Sequence, residues 1–514
     1  MMRQLSLPSD RPRADVVIVG SGPVGATFAR EIAEQHPTAT ILMVEVGPIL
    51  GDPAGANVKN TSDLEVRAEQ QRRSQGPTQR SYSVPSLADR ARANVRPDLA
   101  SPDTLSRPGT FLVSSTGADT AQMPAAAMSA NVGGMGAHWT CACPWPFADE
   151  RTDAVADGWD DLLDRARELL GVSADAYGVN ESQRALLDEL ERRIPGSDST
   201  RRPQPLPMAL GRGEAGMRWI GTSDILGDLV DDPRFTLIAD TLCERVLMDG
   251  DTAIGVRLRS QSGEIHEIGA TTVVVAADPF RTPQLLWASG VRPAGLGRAL
   301  NEHAQVISGV AIDAQFAPPS HVLRGGDPVS GVVWIPYDPE SFPYHGQLTS
   351  VQSAPLQIEA HPEPGSTVMT MSWFCPTELN EQNRVEFSDT ALDAFGMPLP
   401  TIYFARSPED LRRVDVAVHR QREVASHLGT LTNADGPTIM PPGSSLHYTG
   451  TTRISTVDDG RSVCDPDSRV WKTANLYVGG NGTIPTAVAG NPTLTSVAIA
   501  VRSARVIART LATL

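Results

Sequence analysis

A chain of 514 residues with 40% hydrophobic and 20% charged content can bury more than one core and is expected to form two or three domains. Its formal net charge of −16 repels nucleic acid and anionic membrane surfaces, which leaves a small neutral or cationic molecule as the expected partner. The first residues lack the apolar centre of a secretory signal and no later stretch reaches the ~18 apolar residues of a membrane span, so the expected location is cytoplasmic.

The first informative run is "ADVVIVGSGPVGATFAREIAEQHPTATILMVEVG". Residues 15–19 read as a buried strand, 23–35 have helical spacing, and "ATILMVE" is a second strand, so the run is a βαβ unit. Gly20, Gly22 and Gly25 form the dinucleotide fingerprint: a tight turn, a close approach to a pyrophosphate, and close helix–strand packing. Glu45 ends the second strand, where a carboxylate accepts hydrogen bonds from ribose hydroxyls.

Residues 51–109 carry scattered Pro, Ser, Arg and Gln with no sustained period and read as a long surface excursion. "NVGGMGAHWTCACPWP" (131–146) then presents nearly bare backbone around Gly134, followed by His138, Trp139 and Thr140. Cys141, Cys143, Cys243, Cys375 and Cys464 show neither a disulfide framework nor zinc-ligand spacing, so buried free thiols and no metal are expected.

A helical insertion is expected near 150–215, and 235–278 alternates as a β-meander ending in "TTVVVAAD". From 311 to 437 the pattern suggests a separate domain with strands near 368–375, 384–387 and 400–405, a charged helix at 408–428, and a Pro- and Gly-rich loop lid near 321–350. The expected fold is α/β. A Rossmann-like nucleotide-binding domain is built from 1–310 and 438–514, and 311–437 forms a substrate domain with a mixed β-sheet flanked by helices.

The last quarter holds "SLHYTGTTRIS" (445–455) and "NLYVGGNGTIPTAVAGNPTLTSVAIAVRSARVIARTL" (475–511). A neutral imidazole such as that of His447 suits proton abstraction near pH 7, and an amide such as that of Asn491 orients the same oxygen without adding charge. A helix starting near Pro492 and Thr493 directs its positive end at whatever binds there.

With "RTPQLLWASG" (281–290), "NEHAQV" (301–306) and "NRVEFS" (383–388), these blocks resemble the glucose-methanol-choline (GMC) flavoprotein oxidoreductases, and within them the pyranose oxidase branch. The resemblance implies the fold shared with p-hydroxybenzoate hydroxylase and FAD as cofactor, held by the fingerprint, Glu45, Gly134, His138, Thr140, Asn481, Pro492 and Thr493. It implies catalysis by His447 and Asn491. A covalent flavin link through His138 stays open, because Gly136 and Ala137 stand where the fungal enzymes carry hydroxylated residues.

"FPYHGQL" (342–348) resembles a fungal substrate segment, which implies Gln347 as a sugar contact, with Trp373 as a second. Ser372 replaces the arginine that precedes the same Trp-Phe in the fungal enzymes, which favours a wider pocket. The implied reaction is oxidation of a secondary hydroxyl, at carbon 3 of a glycoside or carbon 2 of a free pyranose, with dioxygen reduced to hydrogen peroxide. The alternatives are a dehydrogenase of another alcohol with a quinone acceptor, or a non-redox FAD-containing lyase or binding protein. Because the chain lacks room for the oligomerising insertions of the longer, tetrameric fungal enzymes, a monomer or dimer is expected.

Overall fold

A computed structural model describes residues 12–79, 105, 107–155, 158–174, 179–213, 216–317, 332–349, 367–432 and 435–513. Strands Arg13–Val19 and Ile41–Val44 pair in parallel around helix Pro23–Gln35, the expected βαβ unit. Strands Ile265–Val275 and Phe235–Ile238 extend the parallel sheet on either side, and Leu476–Val478 adds to the far edge of 265–275. The antiparallel strands Thr241–Asp249 and Thr252–Ser260 complete this seven-stranded sheet. Val16, Val17, Ile18, Val273, Val274 and Val275 have no exposed surface, as parallel strands covered on both faces require.

Helix Thr493–Leu511 returns the chain from the last strand and buries its apolar face in the same core as helices Pro23–Gln35 and Trp159–Leu169. Sequence distance is thereby collapsed: residues between Ala14 and Val44 share one core with residues between Val470 and Leu511.

The second sheet, also seven-stranded, is antiparallel, with order 429–431, 304–312, 367–375, 345–349, 333–335, 204–205 and with 438–439 pairing on 304–312. Helix Pro408–Leu428 covers it, started by Ser407, whose Oγ accepts from Asp410 N at 3.1 Å.

Ala304–Ile312, before the expected boundary at 311, is a central strand of the second sheet, and helix Glu181–Arg193 and Gln204–Pro205 from the earlier insertion join the same sheet and core. Residues 332–349 are not a lid: Val333–Ile335 and His345–Thr349 are buried ladder strands, and the rest of the expected lid, 321–331 and 350, lies outside the described residues.

Within the 51–109 excursion, Asp63 caps a helix, Leu64–Arg73, by accepting from Glu65 N and Val66 N. The helix leads into Ser74, whose carbonyl accepts from Ala130 N at 2.7 Å, so the excursion braces the glycine-rich segment at 131. The absence of an apolar stripe hid this helix, because its buried face is Arg67, Gln70 and Gln71.

Candidate active site

Two of the three fingerprint glycines are required by close approach. A Cβ at Gly25 would lie 2.1 Å from the Gly20 carbonyl oxygen, and Gly20 itself has φ +101° against Ala276. A Cβ at Gly22 would meet nothing within 4 Å, so the middle glycine leaves bare backbone facing open space. Both oxygens of Glu45 are held at this turn, one by Ser21 N (3.2 Å) and Ser21 Oγ (2.7 Å), the other by Gly47 N (3.1 Å).

Ser21 Oγ also accepts from Gly133 N at 2.9 Å, which docks the 131–138 segment onto the fingerprint, with Gly134 over Gly22. His138 Nε2 bonds Asn131 Oδ1 at 3.1 Å, and its ring packs on Gly109. Burial, with the Lys59 charge nearby, pushes the His138 pKa down to about 3. Thr140 is exposed, Asn481 opens the turn after strand Leu476–Val478, and Pro492 caps helix Thr493–Leu511 without a side-chain hydrogen bond.

His447 and Asn491, 44 positions apart, meet at 2.9 Å between Nε2 and Nδ2, both half-buried. Two buried carboxylates position them. Glu302 accepts from Gly443 N, Ser445 N and Ser445 Oγ at 2.8 to 3.0 Å, and Ser445 Oγ in turn accepts from His447 N at 3.1 Å. Glu150 accepts from Ala489 N at 2.8 Å and Gly490 N at 3.3 Å, the residues just before Asn491. Leu446 sits at φ +61°, a left-handed conformation costing ~1–2 kcal/mol for a non-glycine residue, immediately before His447. Such strain concentrates where a loop must aim a functional side chain.

The second sheet supplies the opposite wall. Gln347 Nε2 donates to Asn491 Oδ1 at 2.7 Å and lies 2.8 Å from His345 Nε2, while Trp334 Nε1 donates to His345 Nδ1 at 2.9 Å. His345 pairs in register with Phe374 and Gln347 with Ser372, so these four share one face. Phe374 lies 4.9 Å from the His447 ring, centroid to centroid. Trp373, expected at the sugar, alternates to the other face and is fully buried against Phe342 and Tyr344; Phe374 takes the wall position. All five cysteines are free and buried.

GMC oxidoreductase family models match residues 157–305 and 380–500. Over 519 residues the chain is 41% identical to a C-glycoside 3-oxidase of Microbacterium trichothecenolyticum, with 96% of each chain covered. This chain belongs to the GMC oxidoreductase family. It is also 31% identical to a pyranose 2-oxidase of Tricholoma matsutake, covering 96% of this chain and 93% of the relative. A crystal structure of formate oxidase superposes with TM-score 0.66 at 15% identity, covering 98% of this chain and 99% of that one, a likeness of fold. No helix among the described residues is long and apolar enough to cross a membrane.

Sequence reasoning on this GMC oxidoreductase missed Glu150, Glu302, His303, Trp334 and His345 as parts of the site. "NEHAQV" and "FPYHGQL" contained three of them, but only the fold shows where their side chains go.

These enclosed imidazoles make acid stability a test of the geometry. Burial lowers His303 to about 4, His345 to about 3, and His447 well below the ordinary histidine value, the last also through neighbouring His303, His345 and Arg107. The unfolded chain takes up these protons near pH 6.5 while the fold refuses them, so stability falls as pH drops, by ~1.4 kcal/mol per pH unit per group. Glu45, Glu150, Glu302 and Asp278, raised by burial (Asp278 to about 6), act oppositely above about pH 4.5, the range in which the unfolded carboxyls are ionised. The expected melting temperature therefore falls more steeply per pH unit below 4.5 than between 6.5 and 5.5. A uniform slope in scanning calorimetry would contradict neutral, enclosed imidazoles.

Proposed function

We propose that this GMC oxidoreductase oxidises a secondary hydroxyl of a pyranoside, with FAD as cofactor and dioxygen as electron acceptor. The observation that carries the reading is the His447–Asn491 pair at 2.9 Å, joined by Gln347 from the opposite domain, in a chain 41% identical to C-glycoside 3-oxidases.

The residues fit the cofactor. Gly22 leaves backbone bare where a pyrophosphate needs it, Glu45 stands at the ribose position, and the start of helix Thr493–Leu511 has no side-chain cap competing for an anion. FAD, when bound, supplies a hydride acceptor. His447 Nε2 takes the hydroxyl proton, and Asn491 Nδ2 donates to the same oxygen and fixes its lone pairs. Gln347 holds the Asn491 amide, and Phe374 closes the apolar side.

The cofactor is held without a covalent bond through His138. Its Nε2 is engaged by Asn131, and its Nδ1 is buried against Gly109. Acid precipitation is expected to release all the flavin; flavin remaining with the pellet would reverse this assignment.

Ser372 lies in register with Gln347 on the site face, so the wall is small there and leaves room for an aglycone. That favours carbon 3 of a glucoside over carbon 2 of free glucose. The deciding experiment is an anaerobic spectrum with glucose and with an aryl C-glucoside, followed by NMR of the products. Bleaching with the glycoside and a 3-keto product supports the reading. A colourless protein defeats it, and exclusive 2-keto product from glucose defeats the regiochemistry. Light scattering is expected to give a monomer or dimer.

A further inference from the structure

Behind the reacting pair runs a single file of hydrogen-bonding groups with fixed ends. His303 Nε2 lies 2.5 Å from the Val488 carbonyl, His303 Nδ1 lies 3.0 Å from His447 Nδ1, and the file continues through Asn491, Gln347 and His345 to Trp334 Nε1. His303, His345 and Gln347 are buried, so a mismatch between Gln347 and His345 is shielded from water.

Each end fixes the protons of the histidine beside it. A carbonyl only accepts, so His303 carries hydrogen on Nε2; an indole only donates, so His345 has a bare Nδ1 and carries hydrogen on Nε2. With neutral rings, His303 Nδ1 is then bare, His447 carries hydrogen on Nδ1, and His447 Nε2 is bare toward Asn491. Asn491 Oδ1 accepts from Gln347 Nε2, and Gln347 Nε2 meets the His345 Nε2 hydrogen: donor against donor. Turning over Gln347, or both amides together, moves the conflict along the file without removing it, and turning over Asn491 alone adds to it. One additional proton in the His303–His447 pair, with both amides turned over, satisfies every contact.

We propose that His303 is a positioning residue that keeps His447 Nε2 bare for the reaction and then shares the substrate's hydroxyl proton across the 3.0 Å Nδ1–Nδ1 contact. The substrate O–H bond breaks as an N–H bond forms at His447 Nε2, and the His447 Nδ1 hydrogen moves to His303 Nδ1. FAD, when bound, would accept the electron pair, so the histidine pair would gain one proton and one positive charge, the state that satisfies every contact once both amides turn over. The charged and titratable groups around this pair are His345 and Arg107, which act on His447, and Glu302, which holds the adjacent Ser445; the Val488 carbonyl meets His303, and Phe374 packs on both rings. Burial holds both rings neutral at rest.

This inference rests on the proposed oxidation, and the test separates the two. Nitrogen NMR of the ring-labelled holoenzyme at rest is expected to show His447 protonated on Nδ1 and His303 on Nε2; His447 protonated on Nε2 would overturn the proposal whatever the substrate. Anaerobic reduction by the glucoside is expected to add one ring proton to the pair, and reduction without it would also overturn the proposal. If no glycoside reduces the flavin, the proposed function fails while the resting tautomers still decide this one. In His303→Asn, the amide oxygen still accepts from His447 Nδ1–H but cannot take the proton. Flavin reduction is expected to slow at least about tenfold, with its acid limb moved to lower pH and KM little changed, against ~10²–10⁴-fold for a whole general base. An unchanged pH profile would assign His303 to packing alone.

Discussion

Alanine at position 447 is expected to slow flavin reduction by the glycoside by about 10²-fold or more while leaving FAD content intact. His447, the proposed base, is the only imidazole of the file that is half-exposed; His303 and His345 are buried. No neighbouring group replaces it, since Asn491 and Gln347 are amides and Phe374 is apolar. The contacts of the nucleotide turn, from Ser21, Glu45 and Gly133, do not involve the 443–450 loop, so cofactor binding is expected to survive. Stopped-flow spectra under anaerobic conditions read the rate directly, and wild-type speed in His447→Ala would remove this histidine from the proposed chemistry.

Alanine at position 302 is expected to damage both stability and rate. Glu302 is buried and satisfies Gly443 N, Ser445 N and Ser445 Oγ. Each stranded buried donor costs ~1–3 kcal/mol, and the three are coupled, so the loss is about 2–5 kcal/mol and not their simple sum. The same contacts hold Leu446 in its left-handed conformation; without them the loop relaxes and His447 shifts. A displacement near 1 Å costs about 10²-fold in rate. Thermal unfolding and flavin reduction should therefore fail together in Glu302→Ala. A lowered melting temperature with full activity would show that the loop is aimed by something other than Glu302.

The nucleotide half of the fold was readable along the chain because its determinants are local. The strand, the three glycines, the helix and Glu45 fall within one stretch, and each residue type answers a steric demand made by near neighbours. His447 and Asn491 were readable as candidates through the resemblance of their short segments, and the fold brings the two side chains together. The wall from the second sheet was not. Whether Trp373 or Phe374 faces the site depends on the parity of one strand against its partner, and a shift of one residue exchanges the faces.

The carboxylates were equally hidden. Glu150 and Glu302 look like any other acid in the sequence and acquire meaning only when loops 339 and 141 positions away fold onto them. Composition, periodicity and steric need thus settled by themselves that a nucleotide-binding sheet forms and where its turn lies. The tautomer proposed for His447 belongs to the tertiary structure, because it rests on His303, 144 positions away, whose Nε2 faces the Val488 carbonyl.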